Sequence, residues 1–297
     1  METLINAASI SVGGEMLGSI EHAARAAEQC IAKAGIDKQD IDLLVHVGVY
    51  RDDNIAEPPM ASLIQQRLGL NLDPVKHPIE KTTFSFDLVN GSCGFLYAAQ
   101  VIDAIFKNDA TKQALIVYSE VHPSKMESPD FPYTHSGAAV LLTRSDQKEK
   151  GFKNFMFRTS EGGYSGVEGY HNLPAYGNKG RKCITVTVTD DYSSRLQEFT
   201  VRTVKEYVES RLIDVSDIRL LITSQPAPGF GRRIAESIGL KENSVVDLYD
   251  KYGDPHTSAL SIGYFIAAQE GLFKENDQIL FIGAGSGLTS ACALYVV

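Results

Sequence analysis

The stretch FSFDLVNGSCGFLYAAQVIDAIF, residues 84–106, sets Ser92 and Cys93 side by side where a strand-like run, FSFDLV, gives way to an apolar helix. The first turn of a helix carries unpaired N–H groups and a partial positive charge. A thiol held there is expected to ionise more readily than a free one. The same N–H groups can hold the oxyanion that forms when sulfur attacks a thioester carbonyl. Gly91 and Gly94 let the backbone take a tight path around the pair. Cys93 is therefore a candidate nucleophile, weighed against the usual fate of a cysteine, burial as a small apolar side chain.

A thiolate nucleophile needs a base, and the chain has seven histidines. His22 lies in an amphipathic helix and His77 in a polar loop, and both are expected to be solvated. His46 stands in an apolar strand, where a hydrogen-bonded core role fits best. His171 lies in a long loop and has no specific reading. His256 differs, because YGDPHTSALSIGY places it in a Gly/Pro turn immediately before an apolar helix. A Cys93–His256 pair fits nucleophilic acyl transfer.

What would bring these two turns together is an internal repeat. The run 36–49, IDKQDIDLLVHVGV, matches 213–226, IDVSDIRLLITSQP. Each has a helix-like segment before it, SIEHAARAAEQCIAKAG or SSRLQEFTVRTVKEYVESRL. Each is followed by a second helix, ASLIQQRLGL or RRIAESIGL, then by FLYAAQVIDAIFKND or SALSIGYFIAAQEGLFKEND. The strands QALIVYSE and QILFIGAG come next, and GAAVLLTR and SACALYVV close the halves. Six matched elements in one order predict two similar α/β halves, 1–148 and 149–297, the first carrying Cys93 and the second His256. Pseudo-twofold halves would bring the two helix starts close together. The segment GYSGVEGYHNLPAYGNKGRK reads as a long loop, and such loops tend to be functional.

The bulk numbers exclude several classes. With 297 residues, 43% hydrophobic and 22% charged, the composition is that of a globular protein. The net charge of −9 argues against a general nucleic-acid binder. No apolar run reaches the roughly 18 residues of a membrane span, and METLINAASISVGG lacks a signal-peptide pattern. The four cysteines, Cys30, Cys93, Cys183 and Cys292, have no metal-ligand spacing. A cytoplasmic protein, with neither metal nor cofactor, is expected.

FDLVNGSCGFLYA resembles the nucleophile motif of the thiolase-fold condensing enzymes, in the 3-oxoacyl-acyl-carrier-protein synthase III branch. IDLLVHVGV with ASLIQQRLGL resembles that branch's first-half core. KYGDPHTSALSIGYFIAAQEGLFKENDQILFIGAGSGLTSACAL resembles its C-terminal stretch, so the likeness covers nearly the whole chain. The resemblance implies a five-layer α/β/α/β/α sandwich and a nucleophile that takes an acyl group from coenzyme A or an acyl carrier protein. It implies a dimer, either of two identical chains or with a related subunit. It further implies an oxyanion hole from the loop GAGSG, here Gly285, Ser286 and Gly287, together with the Cys93 N–H.

Three departures qualify this. The family's His-Gln-Ala-Asn is here Ser224-Gln225-Pro226-Ala227, so its first catalytic histidine falls on Ser224, and the family's Asn aligns with His256. Decarboxylation of a malonyl group uses both family residues, so one imidazole weighs toward acyl transfer without decarboxylation. Counted from FD without gaps, the nucleophile falls on Ser92; a one-residue adjustment restores Cys93, the better nucleophile near neutral pH, and Ser92 would need a stronger base. The segment SVGGEMLGS is short, so the entrance is expected to be more open, or completed by a partner chain or by residues 161–181. His122 and His135 fit a structural or interface role better than a catalytic one. The readings from other classes are a non-catalytic partner subunit of a heterodimeric ketosynthase-like complex and an ordinary decarboxylating 3-oxoacyl synthase.

Overall fold

The computed structural model describes the chain except residues 14–16, 74, 77–80, 109, 125–130 and 163–165, so His77 lies outside the described residues. The first half runs β1 (Glu2–Val12), α1 (Ser19–Ala34), β2 (Leu43–His46), α2 (Met60–Leu68), β3 (Phe84–Asp87), α3 (Gly94–Asn108), β4 (Gln113–Glu120) and β5 (Ser136–Ser145). The second runs β6 (Gly151–Thr159), β7 (Val167–Tyr170), α4 (Leu173–Tyr176), β8 (Thr185–Val188), α5 (Tyr192–Ser210), β9 (Ile218–Thr223), α6 (Phe230–Ser237), β10 (Val245–Val246), α7 (Tyr249–Tyr252), α8 (Ala259–Gln269), β11 (Gln278–Gly285) and β12 (Thr289–Val296).

Two five-stranded sheets have the same strand order, β1-β5-β4-β2-β3 and β6-β12-β11-β9-β10. In each the first two pairings are antiparallel and the last two parallel. The six matched segments of the repeat are α1/α5, β2/β9, α2/α6, α3/α8, β4/β11 and β5/β12. The strand pairs β1/β6 and β3/β10 complete the match.

Three apolar cores fix the layering. One joins α1 and α2 to the first sheet through Ala23, Ala27, Ile31, Ile64 and Leu115. A second joins α5 and α6 to the other sheet through Leu196, Val204, Ile234 and Leu280. Between the sheets lie α3 and α8, with Phe95, Ile102, Ile262 and Phe281 in one continuous core. The outer helices are apolar on one stripe, whereas α8 buries every residue from Ala259 to Tyr264, as a helix covered on both sides must. The result is the five-layer α/β/α/β/α sandwich. Gly94, the first residue of α3, permits that helix to approach the end of β2, since a Cβ there would collide with Val47 Cγ1.

His22 corrects one expectation. It is buried on α1, with Nδ1 3.0 Å from both the hydroxyl and the carbonyl oxygen of Ser11, and is not solvated. Cys30 and Cys292 are free and buried.

Candidate functional site

Both parallel stretches end at one place, the C-terminal edge of the sheets where open α/β folds hold their ligands. β3 ends in Asp87, whose carboxylate accepts the N–H groups of Met60 (3.0 Å) and Ala61 (2.8 Å) and pairs with Arg51 (3.1 Å). The Asp of the FD motif thus caps α2. Burial acts to raise its pKa, but contacts with His46, Ala61 and Met60 outweigh this and hold the carboxyl at about 2. A depressed carboxylate stabilises the fold above its unfolded pKa near 4, and that stability fades as pH falls toward 2. The contribution is on the order of 2 kcal/mol. Asp87→Asn is expected to flatten the fall of the urea midpoint between pH 4 and 2; an unchanged slope would remove the assignment.

After Asp87 the chain makes a one-turn 3₁₀ helix, Gly91–Cys93, that runs directly into α3. Gly91 has φ +48°, which favours glycine. In the second half the counterpart is another one-turn 3₁₀ helix, His256–Ser258, leading into α8. The two turns meet across the halves, and a Cβ on Gly91 would stand 3.5 Å from His256 Nε2. Ser92, Cys93, His256, Gly285 and Ser286 line a single cavity of about 270 Å³, with Tyr50, Tyr133, Val167, Gly169 and others around them.

The two neighbours in the turn have different surroundings. Cys93 is 1% exposed and sits in the central core. Its Sγ donates to the carbonyl of Thr289 at 3.6 Å, and its N–H donates to Asn90 O. The expected ease of ionisation is not found, since burial pushes the thiol up to about 12. Nor is the Cys93 N–H available for the oxyanion role, being already paired. Ser92 is 7% exposed, and no hydrogen bond holds its Oγ among the described residues. Its N–H falls in the first turn of the helical segment, where no intrahelical acceptor exists. A Cβ on Gly285 would lie 3.5–3.6 Å from Ser92 Cβ, N and Oγ.

The glycine-rich segment is less a loop than expected. Gly283 and Gly285 belong to β11, and only residues 286–288 turn. Gly283 lacks a side chain where one would meet Cys93 Cα at 3.0 Å and Ser92 O at 3.1 Å. These glycines let β11 pass under the 91–93 turn. Gly285 and Ser286 reach the cavity, whereas Gly287 is not among its lining residues. Ser224 does not face the cavity either; its Oγ accepts the N–H of Ala284 at 2.9 Å, fastening β9 to β11.

His256 is held from several sides. Its Nδ1 lies 2.6 Å from Oε2 of Glu120, the last residue of β4. An ionised carboxylate only accepts, so Nδ1 donates and the Nε2 lone pair is left facing the 91–93 turn. Glu120 is fully buried and also accepts from the Thr257 hydroxyl (2.9 Å) and the Tyr50 N–H (3.2 Å). The Tyr133 ring stacks on the imidazole at 4.2 Å and 13°. His256 N donates to Asp254 Oδ1 at 2.8 Å, and the residue takes φ +47°, a strained backbone of the kind found at functional sites. Burial alone would lower the His256 pKa, but Glu120 and Asp254 outweigh it and the net shift is upward. Burial pushes the Asp254 carboxyl up to about 6.

The other described histidines are not among the residues lining this cavity. His46 is buried, with Nε2 3.2 Å from Ser119 Oγ. His122 and His135 flank Phe131, and the His122 N–H donates to His135 Nε2. His171 Nδ1 contacts the Cys183 carbonyl oxygen. The segment read as a long loop contains β7, which pairs with β8 just beyond it, and Val167 and Gly169 of β7 form one wall of the cavity. Glu120 escaped the sequence reading. Its signal was an acid closing an otherwise apolar run, QALIVYSE, opposite glycine in the repeat's QILFIGAG.

Comparison with known proteins agrees with this architecture. A family described as 3-oxoacyl-[acyl-carrier-protein (ACP)] synthase III C terminal matches residues 208–297. Beta-ketoacyl-[acyl-carrier-protein] synthase III of Aliarcobacter butzleri is 26% identical over 96% of this chain and 85% of its own length. The protein of that name from Aquifex aeolicus is 24% identical over 92% and 82%. Among solved structures, FabH of Pseudomonas aeruginosa superposes with a TM-score of 0.83 at 16% identity, covering 100% and 98% of the two chains. A Xanthomonas campestris OleA variant crystallised with lauric acid and lauroyl-CoA gives 0.82 at 18%, covering 100% and 99%. The fold is that of the thiolase-like condensing enzymes. Over most of its length the chain is similar in sequence, at about a quarter identity, to 3-oxoacyl-[acyl-carrier-protein] synthase III. Among the described residues no helix is long and apolar enough to cross a membrane.

Proposed function

We propose that this chain takes an acyl group from a coenzyme A or carrier-protein thioester onto the 91–93 turn, at Ser92, and passes it to an acceptor without decarboxylating a malonyl group. One observation carries the reading: the imidazole of His256, drawn in by Glu120 at 2.6 Å, shares a cavity with that turn. An imidazole so held is a general base within reach of a nucleophile. The named activity of the relatives and the lauroyl-CoA bound to the OleA variant support a thioester donor. Absence of decarboxylation rests on the loss of the second group, because Ser224 is spent on Ala284 outside the cavity. Cys93, the sequence-based favourite, yields to Ser92 because its sulfur is buried against Thr289 and hard to ionise.

Intact-mass measurement after incubation with acyl-coenzyme A donors of short to long chain, and with a loaded carrier protein, tests this. An added acyl mass is expected, with no CO₂ from malonyl donors. Failure of every donor would leave the non-catalytic subunit as the better account, and CO₂ release would restore the decarboxylating synthase.

A further inference from the structure

Resting on the acyl-transfer reading, we infer that Ser92, His256 and Glu120 form a serine-hydrolase-type triad whose acceptor is a hydroxyl group, water included. The geometry has three parts. Ser92 lines the cavity, and among the described residues no hydrogen bond holds its Oγ, so rotation about χ1 can bring it to His256. His256 offers Nε2 to the turn, 3.5 Å from where a Gly91 Cβ would lie. Glu120 takes the Nδ1 proton side and is itself locked by Thr257 and the Tyr50 N–H. Nucleophile, base and orienting carboxylate are the three roles that define such a triad on any fold. They come from the turn before α3, the turn before α8, and the end of β4, which are far apart in sequence.

The chemistry selects the acceptor. Nε2 takes the Ser92 proton as Oγ attacks the thioester carbonyl; the C–S bond breaks, and Nε2 returns the proton to the departing sulfur. The intermediate is an oxygen ester. Nε2 then takes the proton of an incoming hydroxyl, whose oxygen attacks the ester carbonyl. The C–Oγ bond breaks, and the proton returns to Ser92. Passing the acyl group back to a thiol would be uphill from an oxygen ester, whereas a hydroxyl receives it at nearly equal energy and water downhill. A carbanion acceptor would call for a second hydrogen-bond donor of the kind Ser224 does not place in the cavity. The same cavity carries the side chains of Tyr50 and Tyr133, phenols whose hydroxyls can donate to and accept from a hydroxyl-bearing acceptor.

Glu120 is a positioning residue, so its test needs more than lost rate. The groups facing His256 are Glu120 from β4, Asp254 from its own turn, Tyr50 and Tyr133. Diisopropyl fluorophosphate reacts with an activated serine by forming a P–O bond and expelling fluoride, and needs no acyl donor. The full chain is expected to gain one diisopropylphosphoryl group, mapped to Ser92 by peptide mass, and to turn over p-nitrophenyl butyrate to free butyrate. Glu120→Gln is expected to slow labelling about 10-fold or more and to move its acid limb to lower pH, because the imidazole loses its neighbouring charge. A label elsewhere or none, no release of free butyrate from p-nitrophenyl butyrate, or a Glu120→Gln limb at the wild-type pH would each overturn the triad. If Ser92 labels while no thioester acylates the protein, the triad stands and the donor reading falls. If thioesters acylate the protein on sulfur and the fluorophosphate does not react, the triad falls and acyl transfer stands.

Discussion

Replacing Ser92 with alanine is expected to remove acyl uptake, lowering the rate by about 10³-fold or more, the scale on which a nucleophile's loss is felt. The argument is one of placement. Ser92 and Cys93 are adjacent, but Cys93 points into the core between the sheets and bonds to Thr289, while Ser92 lies over Gly285 at the cavity. A thiol pushed up to about 12 is almost wholly protonated at neutral pH, and a protonated thiol is a poor nucleophile. The intermediate in the wild-type protein is therefore expected to be an oxygen ester, stable to neutral hydroxylamine. An adduct that neutral hydroxylamine removes, or that persists in Ser92→Ala, would return the role to Cys93. The substitution removes one oxygen from a turn whose backbone bonds do not involve it, so circular dichroism and the urea midpoint should match wild type.

His256→Ala is expected to cost about 10²- to 10⁴-fold in the acylation rate, the range general-base catalysis supplies. The pH dependence gives the sharper reading. The base is active only when neutral, so the wild-type rate should rise with pH through the His256 pKa. Glu120 and Asp254 place that pKa above the ordinary value of about 6.5, so the midpoint of the limb should lie above 6.5. In His256→Ala the limb should vanish along with most of the rate. The same raised pKa makes a stability statement of the opposite slope. The imidazolium–carboxylate contact stabilises the fold fully below the unfolded pKa near 6.5, and that part is lost as pH rises through the folded value. A rate that is flat with pH in the wild-type chain would remove His256 from the reaction.

Much of the architecture was legible because its signals are local. Helical spacing in SIEHAARAAEQCIAKAG, buried runs such as QALIVYSE and QILFIGAG, and their recurrence in one order followed from patterns only a few residues long. The short strand β10, two residues of Val245–Val246, and the edge strands β1 and β6 left weaker traces. His256 was legible as the first residue after a Gly/Pro turn that matched the turn at 91–93. His22 was misread because its helix is amphipathic overall, yet it falls on the stripe packed against β5, where the backbone touches Gly137.

The sequence by itself determined the two repeated α/β halves, the sandwich they form, and the pair of helix starts that carry Ser92, Cys93 and His256. Both members of the Ser92–Cys93 pair line the cavity, and only the tertiary structure decided which of them is sealed into the core. Successive residues of a 3₁₀ turn project about 120° apart, so one of two neighbours faces the core and the other does not. Which one does so depends on β11 and β12, roughly two hundred residues away in the chain. The same holds for Glu120: its pairing with His256 spans 136 residues, and a contact of that range exists only once both sheets have packed on α3 and α8.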